Sequence, residues 1–244
     1  MDIKTNHVDL LSIKKEWWKN DDELFSIIQR ELYTAVVGDI MDKMGFLHQF
    51  LSPEIQPLKE SMFLVGRAMT VLEADTFEEL SIGSANPLMA KPFGLMLEAL
   101  DDLKKNEVYI CTGSSPTYAL WGELMSARAI KLGAAGAVVN GYSRDTHGIL
   151  ELNFPTFSYG RYAQDQGPRG KVIDFRVPIE MNSVRINPGD IILGDIDGVC
   201  VVPKAIEKEV FSRAIEKARG EKTVHTAILD GMSAKEAFEK YGIM

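Results

Sequence analysis

The sequence lacks the features of several protein classes. Its 244 residues include only two cysteines, Cys111 and Cys200, each in an apolar run, so we expect buried reduced thiols. No apolar run approaches the ~20 residues that span a bilayer, and the N-terminus does not resemble a secretion signal. The 27 Lys and Arg against 35 Asp and Glu give a net charge of −8, which argues against a nucleic-acid partner. We therefore expect a soluble cytoplasmic enzyme or binding protein that needs no membrane.

What the sequence does contain is a succession of helix-like and strand-like segments. Helical apolar spacing runs through 21–44, with a break at Tyr33 or Thr34, and recurs at 87–103, 122–132, 146–150 and 205–219. Strand-like runs occupy 63–73, 107–112, 134–139, 155–159, 171–180, 184–186 and 191–202, the last with a turn at 195–198. This pattern predicts one α/β domain over 1–244, with a core at about 30–204 and terminal helices at 1–29 and 205–244.

The segment 121–145 is the most informative part of the chain. Glu123 stands at the predicted start of a helix, and twenty residues separate it from the pair Arg144-Asp145, which follows a strand and an Asn-Gly turn. Helix, strand and turn form one compact unit that can return Arg144 and Asp145 to the neighbourhood of Glu123. Two carboxylates bind a hard divalent cation through oxygen, and the cation and guanidinium together bind an anionic, oxygen-rich substrate.

This acid, twenty-residue spacer and Arg-Asp pair resemble a pattern of the RraA-like family, which includes the class II 4-hydroxy-4-methyl-2-oxoglutarate/4-carboxy-4-hydroxy-2-oxoadipate aldolases. Further landmarks in the family's order are 34–39, 66–68, 154–157, 188–190 and 197–203. The resemblance covers about residues 30–222. It implies a three-layer ββα sandwich of the swivelling-domain type with helical N- and C-terminal extensions, assembled as a homotrimer or hexamer. It also implies a metal-dependent lyase that releases pyruvate from a 2-oxo acid, with oxaloacetate decarboxylation as a second activity.

The same resemblance assigns the metal site. Asp145 is expected to bind Mg²⁺ or Mn²⁺ directly, and Glu123 to hold the metal through water and so take part in catalysis. The family often has Asp at the position of Glu123, so this side chain is one methylene longer. The ordinary alternatives are a helix N-cap for Asp145 and, for Glu123, a first-turn acid that complements the helix dipole.

Four more residues receive roles in substrate binding or catalysis by the resemblance. Arg144 would pair with the substrate's carboxylate or keto oxygen and stabilise the enolate, or else form a salt bridge with a neighbouring acid. The backbone amides of Leu124 and Met125, at the positive end of the helix, would bind a substrate carboxylate, or else water. Glu221 would reach into an adjacent subunit's site and help to position a water, or else is an ordinary exposed helical residue.

The remaining candidates are weaker. His147, two residues after Asp145, is a tempting acid–base group, although a surface histidine is the simpler interpretation. The other histidines, His7, His48 and His225, lack ligand-like spacing. The segments 81–90 and 160–170 are expected to line the far end of the pocket. The basic residues of the second segment and its end, Arg161, Arg169 and Lys171, belong either to an anion-binding lid or to a solvated loop.

Two other functions compete with the lyase. A protein-binding regulator, like the family members that inhibit ribonuclease E, would act by surface contact and need no metal site. The grouping of Glu123, Arg144 and Asp145 favours an enzyme over such a regulator. A methyltransferase would need a strand, a Gly-rich loop and a helix with a following acid, and the sequence has none. No lysine is placed by a motif to form a Schiff base, so the metal route is preferred.

Overall fold

The computed structural model describes residues 17–76 and 84–242, which form a mixed α/β fold. The helices of these residues are α1 (Asp21–Glu31), α2 (Thr34–Lys43), α3 (Met96–Asp101), α4 (Glu123–Leu132), α5 (Thr146–Glu151), α6 (Glu207–Leu229) and α7 (Ala234–Tyr241). The strands are β1 (Gln56–Pro57), β2 (Leu64–Asp75), β3 (Glu107–Thr112), β4 (Ala119–Trp121), β5 (Gly136–Val139), β6 (Tyr142–Ser143), β7 (Thr156–Ser158), β8 (Gly170–Phe175), β9 (Ile179–Met181), β10 (Val184–Ile186), β11 (Ile191–Asp195) and β12 (Gly198–Val202).

The principal sheet has eight strands in the order β1-β7-β5-β3-β2-β11-β12, with β8 also pairing with β2. The strands β2, β3, β5 and β7 are parallel to their neighbours in this series, whereas β1, β8, β11 and β12 pair antiparallel. Two short pairs lie outside this sheet, β9 with β10 antiparallel and β4 with β6 parallel. The residues of β5 are all buried, as expected for a parallel strand covered on both faces.

Alternate residues of β11 and β12 face two different hydrophobic clusters. Ile191 and Leu193 pack in one cluster with α1, α2 and α6, whereas Ile192 packs in the other with the central strands. The two cysteines divide in the same way, Cys200 to the first cluster and Cys111 to the second. Both are buried and free, as predicted. The sheet is thus sandwiched between N- and C-terminal helices on one side and the middle of the chain on the other, and the α/β fold class is confirmed.

The prediction of one helix over 87–103 is wrong. Pro87–Ala90 forms a single 3₁₀ turn, and α3 begins only after a break. Pro92 has no amide hydrogen to continue a helix, and Gly94 has a φ of +62°. A Cβ on Gly94 would lie 2.2 Å from the carbonyl oxygen of Val172, so the chain approaches β8 closely here. The helical spacing of apolar residues is present in 87–103, but it is divided between the 3₁₀ turn and α3.

Smaller differences concern the strands and the termini. The predicted strand 171–180 is two strands, β8 and β9, separated by Arg176 at a φ of +56°. Strands β4 and β6 were not predicted, because they are only three and two residues long and show no period. The single domain over 1–244 stays a prediction, and much of its terminal helix 1–29, His7 and residues 81–83 lie outside the described residues. No helix in the described ranges is long and apolar enough to cross a membrane.

Candidate active site

The short parallel pair β4–β6 positions the residues that the sequence singled out. Strand β4 ends at Trp121 and leads through Gly122 into α4, and β6 leads through Arg144 and Asp145 into α5. The Arg144 amide donates to the Trp121 carbonyl oxygen at 2.8 Å, which continues the pairing beyond β6. Because the carboxyl ends of parallel strands meet at one edge, the start of α4 and the Arg-Asp pair lie side by side. The first turn of α4, which carries Glu123, therefore lies beside Arg144 and Asp145, and the shared site of the three side chains stays a prediction.

The Asp145 carboxylate lies against the N-terminal end of α4. Asp145 has a φ of +54° and precedes α5, yet its side chain makes no capping hydrogen bond to that helix. A Cβ on Gly122 would lie 2.8 Å from Asp145 Oδ2, so only glycine leaves this space to the carboxylate. The side chain is 49% exposed. The carboxylate is thus accessible to a ligand, and the N-cap alternative does not describe what it does.

Glu123 reaches from the first turn of α4 to α5. A Cβ on Gly148 would lie 2.2 Å from the Glu123 carboxylate, so the carboxylate rests on the bare backbone of that glycine. Within residues 17–76 and 84–242, no group of three or more His, Cys, Asp and Glu side chains could hold a metal ion. Two carboxylates suit Mg²⁺, which keeps several waters, better than they suit a structural Zn²⁺, which takes four protein ligands.

Arg144 is held by two acids but stays accessible. Its Nη1 lies 2.8 Å from Asp165 Oδ1, and its Nε lies 3.7 Å from Asp145 Oδ2. The salt-bridge alternative is therefore seen in the structure. The arginine is 38% exposed and Asp165 is 43% exposed, and ion pairs this wet contribute little, about 0–1 kcal/mol. A substrate carboxylate or keto oxygen can therefore compete with Asp165 for the guanidinium.

Arg144 and Asp145 line two cavities. The larger cavity has a volume of about 450 Å³ and lies between α3 and the start of α4, with Asp165 and Gln166 on its wall. The smaller has a volume of about 240 Å³ and includes Arg161 among its lining residues. The segment 160–170 thus lines both, as predicted. In the described part of 81–90, no residue lines either cavity.

The first turn of α4 offers free backbone donors to the larger cavity. Leu124 and Met125 both line it, and no described residue accepts a hydrogen bond from either amide. The Leu124 side chain is 83% exposed, whereas Met125 packs against the core. Unpaired N–H groups at the positive end of a helix form a place where a carboxylate can bind.

The structure does not bring Glu221 to this site within one chain. Glu221 lies on α6, where it accepts a hydrogen bond from the Tyr33 hydroxyl and lies 3.2 Å from Lys217 Nζ. Burial, together with this carboxylate, raises the pKa of Tyr33 to about 12. Glu221 lines neither cavity. Its catalytic role therefore depends on a neighbouring subunit and stays a prediction.

The weaker candidates resolve differently. His147 is 89% exposed and lies 3.2 Å from Glu151, one turn further along α5, as expected of a surface histidine. Lys171 is buried in β8 and donates to the carbonyl oxygens of Lys91 and Pro92, so it is not part of a lid. The lid interpretation is therefore wrong for this lysine.

The sequence analysis missed a buried carboxyl behind the cavity wall. Gln166 Nε2 donates to Glu73 Oε2 at 2.8 Å, and Gln166 also lines the larger cavity. Burial raises the pKa of Glu73 to about 8, so the group is mostly protonated at neutral pH. An acid inside the apolar run of β2 was the available signal. The pairing of Arg144 with Asp165 had no signal, because the two residues belong to separate segments.

The protein thus has an α/β fold with two carboxylates and an accessible arginine next to the ends of two paired strands, which together form a candidate ligand site. A family model described as RraA-like, Aldolase/RraA, matches residues 34–201, and the chain belongs to this family. A protein of Halalkalibacterium halodurans, named "Putative 4-hydroxy-4-methyl-2-oxoglutarate aldolase", is 31% identical over 210 residues, which cover 86% of this chain and 90% of that protein.

Two further comparisons are a sequence match to part of a longer protein and a structural match at low sequence identity. Protein DlpA of Legionella pneumophila is 30% identical over 209 residues, which cover 85% of this chain but only 32% of DlpA. The chain thus spans about a third of that relative's length. Streptomyces coelicolor RraAS2, whose crystal structure is described as an unusual member of the RNase ES inhibitor RraA protein family, matches with a TM-score of 0.73. The match covers 86% of this chain and 100% of that one at 21% identity, which shows the fold alone.

Proposed function

We propose that the chain is a divalent-metal-dependent lyase that cleaves a carbon–carbon bond of a 2-oxo acid and releases pyruvate. The observation that carries the proposal is that Arg144 and Asp145 line one cavity beside the free amides of α4, the helix whose first residue is Glu123. The family and the printed name of the Halalkalibacterium halodurans relative support it. Assembly as a homotrimer or hexamer, with Glu221 acting across the interface, belongs to the same proposal.

The two carboxylates fit a hard cation. Asp145 would hold Mg²⁺ or Mn²⁺ directly, because its carboxylate is accessible and caps nothing, and Glu123 would hold it through water. The bound cation would supply Lewis-acid polarisation of the substrate's 2-oxo group.

The residues of the chain would bind and orient the substrate. The amides of Leu124 and Met125 bind its 1-carboxylate, and the Arg144 guanidinium donates to the 2-oxo oxygen. Negative charge grows on that oxygen as the C3–C4 bond breaks, and a fixed donor at such a position typically contributes 10²–10³ in rate. Glu123 accepts the proton of the 4-hydroxyl through a water, and the pyruvate enolate is then protonated at C3. Oxaloacetate decarboxylation would pass through the same enolate.

The alternative is a non-catalytic protein-binding regulator. The description of RraAS2 favours it, and so does the exposed Leu124 side chain at the cavity. Asp145 has a positive φ, its side chain caps no helix, and its carboxylate lies against Gly122. A protein that acts by surface contact alone does not need this strained arrangement, and for that reason we prefer the enzyme.

The deciding experiment measures pyruvate release from oxaloacetate and from 4-hydroxy-4-methyl-2-oxoglutarate, with Mg²⁺ or Mn²⁺ and with EDTA. We expect turnover that needs the metal and that falls by about 100-fold or more in Asp145→Ala, with loss of metal binding by calorimetry. The control is Asp42→Ala, an exposed aspartate of α2 that lines neither cavity. Undiminished or EDTA-resistant turnover in Asp145→Ala would overturn the proposal, and absence of both turnover and metal binding would favour the regulator.

A further inference from the structure

We infer that the substrate carries an uncharged apolar group beyond the bond that is cleaved, in the place where a second carboxylate would otherwise lie. The inference rests on the proposed function, because it concerns the far wall of the same cavity. It follows from what lines that wall and from how the charges around it are paired.

The part of the cavity wall that α3 and α4 form is apolar apart from Asp101 and Arg128. Helix α3 contributes Met96, Leu97 and Leu100, and α4 contributes Leu124 and Met125. Leu97 is 56% exposed and Leu124 is 83% exposed, so two leucines from different helices face the cavity without a covering partner among the described residues. Water against such surface is unfavourable, and an apolar ligand group that displaces it gains free energy in proportion to the area covered.

Both cations at the cavity already have an acidic partner. Among the described residues, the cations that line it are Arg128 and Arg144. Arg128 Nε lies 2.7 Å from Asp101 Oδ1, and Arg144 Nη1 lies 2.8 Å from Asp165 Oδ1. With Asp145, three carboxylates line the cavity against two guanidinium groups. A second substrate carboxylate would therefore have to compete with Asp101 for Arg128 and would lie beside an apolar wall, which disfavours a charge partly removed from water.

The substrate class is then a 4-hydroxy-2-oxo acid with an alkyl or aryl group on C4. Cleavage breaks the C3–C4 bond and leaves its electron pair on C3 of the pyruvate enolate. The 4-hydroxyl loses its proton as C4 becomes the carbonyl carbon of an apolar aldehyde or ketone, and a proton returns to C3. The atoms balance without a co-reactant.

The first test compares cleavage of two substrates that share the 4-hydroxy-2-oxo acid head and differ in the groups on C4. Turnover with Mn²⁺ is measured as pyruvate release for 4-hydroxy-2-oxo-4-phenylbutanoate, which gives one pyruvate per cleavage, and for 4-hydroxy-4-methyl-2-oxoglutarate, which gives two. We expect kcat/KM to favour the phenyl substrate by about tenfold or more. Leu97→Arg places a cation on the wall and should shift this ratio towards the dicarboxylate by about tenfold.

Two control variants separate charge from polarity and from position. Leu97→Gln should weaken the phenyl substrate without improving the dicarboxylate. Leu229→Arg adds the same charge at an exposed leucine of α6 outside the cavity and should leave the ratio unchanged. A shift of the ratio by Leu229→Arg equal to that by Leu97→Arg would overturn the inference.

The second test measures binding without cleavage and so separates this inference from the proposed function. Calorimetry compares 2-oxo-4-phenylbutanoate with 2-oxoglutarate, which both lack a 4-hydroxyl. Tighter binding of the phenyl acid by about tenfold supports the inference even where neither cleavage substrate turns over, a result that would overturn the lyase alone. Equal binding, binding of neither, or a preference for 2-oxoglutarate overturns the inference. If Arg161→Gln then abolishes that last preference, the second carboxylate binds in the smaller cavity.

Discussion

The charged residues at the cavity and those that join the helices to the sheet are held in opposite ways. Arg144 is 38% exposed, and its contacts with Asp145 and Asp165 are open to water. Arg67, in β2, is 16% exposed and is bound by Asp21 of α1 and Glu207 of α6. The comparison teaches that the ion pairs of Arg144 leave its guanidinium accessible to a ligand, whereas those of Arg67 hold its guanidinium within the fold.

Arg67 shows what a structural charge looks like in this chain. Its Nε donates to Asp21 Oδ2 at 2.9 Å, its Nη2 lies 3.1 Å from Glu207 Oε1, and its guanidinium lies 5.9 Å from the centre of the Phe25 ring. The hydrogen bonds that it donates to Asp21 and Glu207 raise its pKa well above the ordinary arginine value. The guanidinium thus has partners on α1 and α6 and links both helices to the sheet.

The largest expected difference is between a substitution of Arg144, at the cavity, and a substitution of Arg67, which joins helices to the sheet. Arg144→Gln should lower kcat/KM for pyruvate release by about 100-fold or more while leaving the free energy of unfolding nearly unchanged. Arg67→Gln should do the reverse and cost about 2 kcal/mol or more of stability, because it leaves two acids without their partner. Steady-state kinetics and urea unfolding on both variants test this, and equal stability losses would break the comparison.

Gly122→Ala tests whether activity depends on the position of the Asp145 carboxylate. The new Cβ would lie 2.8 Å from Asp145 Oδ2, so the carboxylate must move, and we expect a loss of about ten- to a hundredfold in kcat/KM with weaker metal binding. Stability should fall by about 1 kcal/mol, since alanine is a much poorer N-cap residue than glycine. The control is the double variant with Asp145→Ala, in which adding Gly122→Ala should cost nothing more.

Glu221 has a structural role within one chain and a proposed catalytic role in a neighbouring subunit. In one chain it belongs with the structural charges, through Tyr33 and Lys217. If it completes a neighbour's site, Glu221→Gln should lower activity about tenfold, and mixing it with Arg144→Gln should restore part of it in assemblies that hold one intact site. Full activity of Glu221→Gln alone would leave it a structural residue.

A separate effect, on the pH dependence of stability, should appear at Glu73, which is buried and mostly uncharged at neutral pH. Its pKa is about 8 in the folded chain and near 4.5 when unfolded, so the folded chain holds an extra proton between these values. The free energy of unfolding should therefore fall as pH rises from about 4.5 to 8, by at most about 1.4 kcal/mol per pH unit. Glu73→Gln should lose this dependence and gain stability over the wild type towards pH 8. Parallel stability profiles of the two proteins would contradict it.

The sequence predicted the elements that carry strong local signals. Strand β3 has the predicted bounds, the pair α1–α2 breaks where the apolar spacing breaks, and α4 begins one residue after Gly122. The prediction failed at 87–103, because the apolar spacing of that segment is shared by a 3₁₀ turn and α3 and a glycine at positive φ divides them. It also failed for β4 and β6, because two or three residues are too few to show a period.

The sequence by itself determined the RraA-like family and the placement of the first turn of α4 beside Arg144 and Asp145, because these residues belong to one continuous strand–helix–strand unit. Only the tertiary structure decided which acid pairs with Arg144, which helix supplies the apolar wall, and that Gln166 contacts a buried Glu73. These contacts join segments far apart in the chain, and their choice depends on packing across the sheet, which leaves no periodic trace in the sequence.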